Sequence, residues 1–284
     1  MKICFVIPCY NSRSLLEKYF HTIYKIAGEH SAEIVIVDDA SSDGSTEFIS
    51  DNFGKVIIHS NESNLGFVKT VNKGVRLSSA DIICLLNTDI EAKSDFLTPA
   101  LHHFEDSSVF SVSFKSLNPD GSFREGAKRV VFRGGYFKVL HNIKDQHPLA
   151  DGIQYTDYPV GGHCLIRKSM FEELDGLDEI YSPFYWEDTD IGLRARKKGW
   201  KNIYDSASEI YHHHQGSIKT NYDDQQIKTI KIRNRIIFTR KHATSPELVV
   251  NKAFTTIRRI GSFFTGDKAF RNALNSAGKI SLEK

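Results

Sequence analysis

Four short apolar runs punctuate the first ninety residues, and polar clusters follow three of them. Residues 3–7, 34–37, 56–58 and 82–86 are continuously apolar or nearly so, as in strands buried on both faces. Between them lie helical patterns. Asn11 or Ser12 can cap a helix carrying Leu15, Leu16, Tyr19, Phe20, Ile23 and Ile26. Asp43-Gly44-Ser45 turns into a short helix through Phe48 and Ile49, and residues 66–77 read as another. Strands alternating with helices predict a parallel sheet covered on both sides. Ligands of such sheets bind beyond the carboxyl ends of the strands. Asn11, Asp38-Asp39 and Asn87-Thr88-Asp89 all fall at such ends, so three polar clusters face one crevice.

The second half is less regular. Residues 109–114 read as a strand, Gly161-Gly162 as a turn feeding a strand through Arg167, and 188–198 as a helix. Residues 115–158 are polar and resist assignment. The composition, 40% hydrophobic and 25% charged, excludes a disordered, collagen-like or disulfide-scaffold chain. A net charge of +2 gives no case for a nucleic-acid partner, but the charge is uneven: residues 228–284 hold 13 Lys/Arg against 3 Asp/Glu. That basic end on an acidic body suggests a second task at a polyanionic surface. Cys4, Cys9, Cys84 and Cys164 lack metal-ligand spacing and are expected as reduced core residues. No apolar run approaches the roughly 18 residues of a membrane span, and Pro8 ends the first run too early for a signal peptide. The expected location is cytoplasmic, or peripheral on the inner face of a membrane.

Within the basic end, Phe254, Ile257, Ile260 and Phe264 form one helical stripe, and Phe270, Leu274 and Ala277 form another beyond Gly266-Asp267. Two readings stand. A helical hairpin packs these stripes on the main body of the chain or on a second copy in a homodimer, or the stripe enters an anionic membrane surface beside its cations.

The motifs taken in order carry a resemblance. Residues 7–11 (Ile-Pro-Cys-Tyr-Asn), Val37 through Ser45 with its Asp38-Asp39 pair, Asn64-Leu65-Gly66-Phe67 with Asn72, and Leu85-Leu86-Asn87-Thr88-Asp89 come first. Gly161-Gly162, Gly176-Leu177-Asp178-Glu179, Trp186 through Ile191, Arg194, His212 and Arg233-Asn234-Arg235 follow. Together they resemble family 2 glycosyltransferases from residue 3 to about 242, nearest the rhamnosyl- and galactofuranosyl-transferase-like branch.

That resemblance implies a GT-A fold: a Rossmann-like nucleotide-binding half with a mixed sheet (1–90), joined to an acceptor half (91–243). Residues 244–284 are then a basic amphipathic tail. It implies transfer of a sugar, with inversion, from a nucleotide-sugar donor to a hydroxyl of a glycan or lipid-linked acceptor in bacterial surface-polysaccharide synthesis. A UDP- or dTDP-sugar is favoured, because an acidic residue can accept the pyrimidine N3–H. Pro8, Tyr10, Asn11, Asp38, Asp39, Asn64, Gly66, Asn72, Asn87, Thr88 and Asp89 are the expected donor-site residues. A divalent cation, Mn²⁺ or Mg²⁺, stabilises a departing diphosphate. Its ligands by resemblance are Asp89 and His212, the latter chosen over His213 and His214 by its spacing to Ser217. The family's usual Asp-x-Asp has lost its first carboxylate to Asn87. Asp188 matches the catalytic base, with Glu187 orienting it or the acceptor. Gly161 and Gly162 fall on the acceptor side. Trp186 either stacks on a sugar or packs in the core.

Three rivals fit less well. A sugar-nucleotidyltransferase is expected to carry a glycine-rich phosphate loop where this chain has Pro8-Cys9-Tyr10-Asn11-Ser12, and a dinucleotide dehydrogenase needs its glycine fingerprint there. A non-catalytic sugar- or nucleotide-binding relative is expected to have lost the base or the metal residues, yet Asp188, Asp89 and His212 are all present.

Overall fold

The apolar run that opens the chain becomes the middle of a sheet. In the computed structural model, which describes residues 1–140, 152–213 and 221–280, strand β1 (Ile3–Cys9) pairs in parallel with β2 (Glu33–Asp38) and β4 (Ile82–Leu86), and β2 pairs with β3 (Val56–Ser60). Phe5 and Ile7 point to one core, Cys4 and Val6 to the other. Both faces are covered, which explains why the run does not alternate. The first face packs on the helical stretch formed by α1 (Arg13–Leu15), a π-helical turn (Leu16–Phe20) and α2 (His21–Glu29). Helix α3 (Ser45–Asn52) joins β2 to β3 and adds Ile49 to this core. Helix α4 (Phe67–Leu77) covers the second face. It lies so close that a Cβ on Gly74 would collide with Val6, so glycine sets that helix–sheet distance.

Beyond β4 the sheet turns mixed. Strand β5 (Ile90–Glu91) is followed by helix α5 (Leu97–Leu101) and then by β6 (Val109–Leu117), β7 (Phe123–Glu125), the hairpin β8 (Arg129–Arg133) and β9 (Tyr136–Leu140), β10 (Ile153–Tyr155), β11 (His163–Arg167) and β12 (Lys201–His212). Among the described residues the main order is β10-β12-β6-β11-β4-β1-β2-β3, with β5 on β12 and β7 on β6. β11 runs antiparallel to both β4 and β6. The sheet is thus mixed, as the resemblance implied. The sequence reading did not foresee β12 or the short strands of 115–158. All four cysteines are free and buried, and burial pushes the Cys4 thiol up to about 11 and the Cys9 thiol up to about 12.

Helix α6 (Lys168–Glu173) and helix α7 (Glu187–Lys197) add to the α4 side. Helix α8 (Asp224–His242) starts at a reciprocal Asp223/Gln226 capping box, and α9 (Ser245–Phe264) starts at a Thr244/Glu247 box with Pro246 in its first turn. Helix α10 (Lys268–Gly278) packs Ala269, Phe270, Ala273 and Ala277 against Ile232, Ile236 and Phe238 of α8. The second stripe read from the sequence is therefore a packing stripe. The first is not: Ile257 and Phe264 on α9 are 68% and 87% exposed.

One buried charge ties α7 to α8. Asp190 has no solvent exposure. Its carboxylate accepts from Arg194 Nε (2.6 Å) and Tyr181 Oη (3.0 Å), meets His242 Nε2 at 2.6 Å and pairs with Lys241 Nζ at 2.9 Å. Burial opposes the charge, but His242, Arg194 and Lys241 outweigh it and hold the carboxyl well below its usual 3.8. Removing one member of such a buried network costs about 3 kcal/mol. Asp190→Asn is expected to lose about that much stability in urea unfolding at pH 7. A carboxyl depressed on folding stabilises above its unfolded value and loses that contribution as pH falls through its folded one. The wild type therefore shows an added loss of stability below pH 3.8 that the Asn variant lacks.

Candidate active site

A cleft opens beyond the carboxyl ends of β1, β2 and β4, where the three polar clusters were expected. Its lining includes Pro8, Tyr10, Asp39, Asn64, Gly66, Asn87, Thr88, Asp89, Gly161, Gly162, Glu187, Asp188 and His212. Thirteen residues singled out from the sequence thus meet in one place. Phe184, Tyr185 and Tyr222 add aromatic surface, and His163 closes its floor with zero exposure.

Asp39 builds the β2 side. Oδ1 accepts from Asn61 Nδ2 and from the Leu65 amide, and Oδ2 from the Gly66 amide, each at 2.8 Å. The carboxylate thus staples the 61–66 loop while still bordering the cleft. Gly66, at φ +84°, comes so near Pro183 that a Cβ would sit 3.0 Å from that backbone, which only glycine allows without displacement.

Asp89 and His212 meet because the short strand directly after Asp89 is paired with the end of β12. Ile90 lies opposite His212 and Glu91 opposite Tyr211, and the His213 amide donates to the Asp89 carbonyl. This register places Asp89 Oδ1 3.2 Å from His212 Nε2. His213 points away, its Nε2 2.9 Å from Glu91 and its ring stacked on Tyr19. His214 and Ser217 lie outside the described residues. Behind His212 sits a group that sequence reasoning missed. Glu125 Oε1 lies 3.8 Å from His163 Nε2 and 4.0 Å from His212 Nδ1, and Lys128 Nζ reaches Oε2 at 2.5 Å. Burial penalises the Glu125 charge, yet Lys128, His163 and His212 hold its carboxyl well below the usual range. The signal for it was His163 directly after the Gly161-Gly162 turn.

Glu187 and Asp188 open α7. Asp188 Oδ1 accepts from the Thr189 amide (2.6 Å), and Oδ2 accepts from the Gly161 amide (3.4 Å). Burial pushes the Asp188 carboxyl above its usual 3.8, and those amides partly offset it. Burial, reinforced by the charge of Asp188, pushes Glu187 well above 4.5. Glu187 Oε2 has no hydrogen-bond partner among the described residues. Gly161 and Gly162 leave room for this arrangement: a Cβ on Gly161 would lie 3.2 Å from Asp188 Cβ, and one on Gly162 would strike the Asn87 carboxamide. The chain enters α7 through Tyr185 and Trp186, both at positive φ (73° and 79°), a strained path that surrounding contacts must hold. Helix α8 supplies them. Asn234 Nδ2 donates to the carbonyls of Tyr181, Phe184 and Tyr185, and Arg233 to those of Ile180 and Ser182.

The profile of Glycosyl transferase family 2 matches residues 4–175. The chain belongs to this family. Among curated relatives, the N-acetylglucosaminyl-diphospho-decaprenol L-rhamnosyltransferase of Mycobacterium tuberculosis is 26% identical over 233 residues, 73% of this chain and 75% of that protein. Human polypeptide N-acetylgalactosaminyltransferase 16 is 27% identical over 57% of this chain and 31% of its own length. Among solved structures, GalNAc-T7 with UDP, GalNAc and Mn²⁺ superposes with a TM-score of 0.67 at 17% identity, covering 86% of this chain and 48% of that one. The chain thus spans about half the length of GalNAc-T7. The mannosyltransferase PcManGT of Pyrobaculum calidifontis, in complex with GDP-Man and Mn²⁺, gives 0.60 at 15% identity, over 98% of this chain and 86% of that one. The protein is a glycosyltransferase with a GT-A fold, near the rhamnosyltransferase branch.

Four expected site residues of this family 2 glycosyltransferase lie off the cleft lining. Asn72 is turned to the Leu177 backbone, accepting from its amide (2.9 Å) and donating to its carbonyl (2.8 Å); it fastens α4 to a distant turn. Trp186 packs on Phe238, with ring centroids 4.8 Å apart, and is half-buried. Asn11 braces the loop after β2, its Oδ1 accepting from the Ser42 amide and its own amide donating to Ser41. Asp38 accepts from the Ser41 amide in the same loop. These residues shape the site from behind.

Hydrogen bonds to a charged group contribute about 1.5–3 kcal/mol each. Asp39→Ala is expected to speed hydrogen exchange of the Leu65 and Gly66 amides by at least about tenfold, with amides in the middle of β1 changed far less. Unchanged exchange at both amides would remove Asp39 as the staple.

Proposed function

We propose that the chain transfers a sugar, with inversion, from a UDP- or dTDP-sugar to a hydroxyl of a lipid-linked glycan, with Asp188 as the base. The observation that carries this reading is one cleft bordered by both a desolvated Asp188 carboxyl and the Asp89–His212 pair.

Asp188 is held by two backbone amides and sits where burial has raised its proton affinity. A base of that kind accepts a hydroxyl proton as the oxygen attacks the anomeric carbon. Glu187, buried beside it, keeps the pair from holding two charges cheaply. Asp39 uses three acceptor positions on Asn61, Leu65 and Gly66. A carboxylate has about four, so one remains for a pyrimidine N3–H. Tyr10 and Tyr222 offer flat surfaces to a base.

Asp89 and His212 would hold a divalent cation together with the donor diphosphate. Their oxygen and nitrogen, 3.2 Å apart, fit Mn²⁺ or Mg²⁺, and Mn²⁺ suits a mixed oxygen and nitrogen set. When bound, such an ion supplies Lewis-acid stabilisation of the departing diphosphate. Asn87 stands where the family has a second carboxylate, and the Glu125 carboxylate behind His212 is itself paired with Lys128. The M. tuberculosis relative named for a decaprenol-linked substrate supports a lipid-linked acceptor and a place in surface-polysaccharide assembly. The location that follows is the cytoplasmic side of a membrane, where such acceptors are reached.

Asp188→Asn is expected to lower kcat by about 10²–10⁴ with nucleotide binding little changed; near-normal turnover would remove Asp188 as the base. Because the base works ionised and its carboxyl is raised, kcat/KM rises with pH along a limb lying above the usual 3.8. Glu187, pushed further up by the charge of Asp188, is still protonated when Asp188 ionises, so Glu187→Gln leaves that limb in place.

The metal pair is tested by calorimetry of Mn²⁺ and UDP on the intact chain. Asp89→Ala and His212→Ala each abolish the Mn²⁺-dependent part of UDP binding, whereas His213→Ala retains it. Glu125→Gln weakens Mn²⁺ binding by at least about tenfold, the usual effect of losing an outer partner of a ligating histidine. UDP binding and turnover unchanged by EDTA would overturn the metal reading.

A further inference from the structure

Helix α9 is built inside out. The residues it turns toward the body recur at steps of 4, 3 and 4: Asn251, Thr255, Arg258 and Ser262. All are polar, and they are held by polar contacts. Asn251 Nδ2 donates to the Gly135 carbonyl (2.7 Å), Thr255 Oγ1 meets Tyr136 Oη (2.7 Å), and Arg258 lies over the Phe270 ring and 3.7 Å from Asp267. Apart from the half-buried Leu248, its large apolar residues face outward. Val249, Ile257, Ile260, Phe263 and Phe264 are 57–87% exposed, and Phe254, which rests partly on Gly135, is 46% exposed. At about 100° per residue, the arc from Phe263 to Phe254 covers half the circumference. No ionisable side chain lies on it. A helix with a polar inner face and an apolar outer face places its larger apolar burial elsewhere than on its own chain.

Charge identifies the occupant. Lys252 and Arg259 run along one border of the apolar arc. Beside that border lies a groove between α8, α9 and α10, whose lining includes Arg240, Arg259 and Lys279 and no carboxylate. A second copy of this chain would bring the same cations to the same rim, because a two-fold interface pairs a patch with itself. An anionic bilayer offers an apolar interior and a negatively charged surface together. The helix has 20 residues, and no helix among the described residues is long and apolar enough to cross a membrane.

We propose that the outer face of α9 lies in the surface of an anionic bilayer, with lipid phosphates received in the Arg240–Arg259–Lys279 groove. This goes beyond the transfer reaction, and it is read without any sugar nucleotide, so the two stand or fall separately. The intact chain is sedimented with vesicles of phosphatidylglycerol and phosphatidylcholine, and with phosphatidylcholine alone. Binding is expected to the mixed vesicles, to be far weaker to the neutral ones, and to fall in about 0.5 M salt, where charge interactions are screened. Ile257→Glu with Phe264→Glu lowers partitioning by at least about tenfold. Arg259→Gln and Lys279→Gln each lower it about fivefold. All four side chains are outside the core, so thermal midpoints should hold, which separates lost binding from lost folding. Absence of wild-type binding to anionic vesicles, or equal binding by wild type and the Glu variant, overturns the proposal. A wild-type dimer that ignores vesicles and is split by the Glu pair also overturns it, making the face a subunit interface.

Discussion

Asp190 holds a negative charge out of reach of water, and the start of α7, which borders the cleft, depends on the groups that make this tolerable. An isolated carboxylate at zero exposure is prohibitively costly. Arg194, Tyr181, Lys241 and His242 each come from a different direction to satisfy it. Arg194 also donates to the Leu174 and Gly176 carbonyls, so the charge also fixes the turn between α6 and α7. Asp190 lies in the first turn of α7, directly after Asp188 and Thr189. Anchoring it aims the start of that helix, and Glu187 and Asp188 have no freedom to drift from the cleft. Helix α8 contributes to both sides of this arrangement, gripping Asp190 through His242 and Lys241 and the strained entry to α7 through Arg233 and Asn234.

The first ninety residues were readable because their signals are local. A strand buried on both faces writes itself as an unbroken apolar run, and a strand end writes itself as a polar cluster. Residues 3–90 consist almost entirely of such signals. The rest of the site depends on contacts between distant segments, which leave no period in the sequence. Glu125 sits at the end of a three-residue strand in a segment without alternation, and its partners Lys128, His163 and His212 are scattered over 85 positions. Asn72 is the reverse case: the resemblance carried it to the donor site, and its side chain is tied to a backbone 105 residues away.

The tail shows a subtler limit. The apolar spacings on α9 and α10 are alike, and periodicity reports only that a face exists. What decides its fate is the opposite face. Helix α10 meets the apolar surface of α8 and buries its stripe, whereas α9 presents Asn251 and Thr255 to polar groups of Gly135 and Tyr136 and leaves its stripe outside. The inversion was written in the small polar residues between the hydrophobic ones.

The four cysteines give the chain an experimental property of their own. The thiolate is the form that reacts with maleimides and disulfides. Here every sulfur lies at 2% exposure or less, and the Cys4 and Cys9 thiols are raised to about 11 and about 12. At neutral pH the native chain therefore behaves toward thiol reagents as though it contained no cysteine. A single cysteine placed on an exposed residue such as Thr256 or Asn275 becomes the one addressable sulfur, and spin labels or fluorophores can be installed without first stripping the sheet of its native thiols.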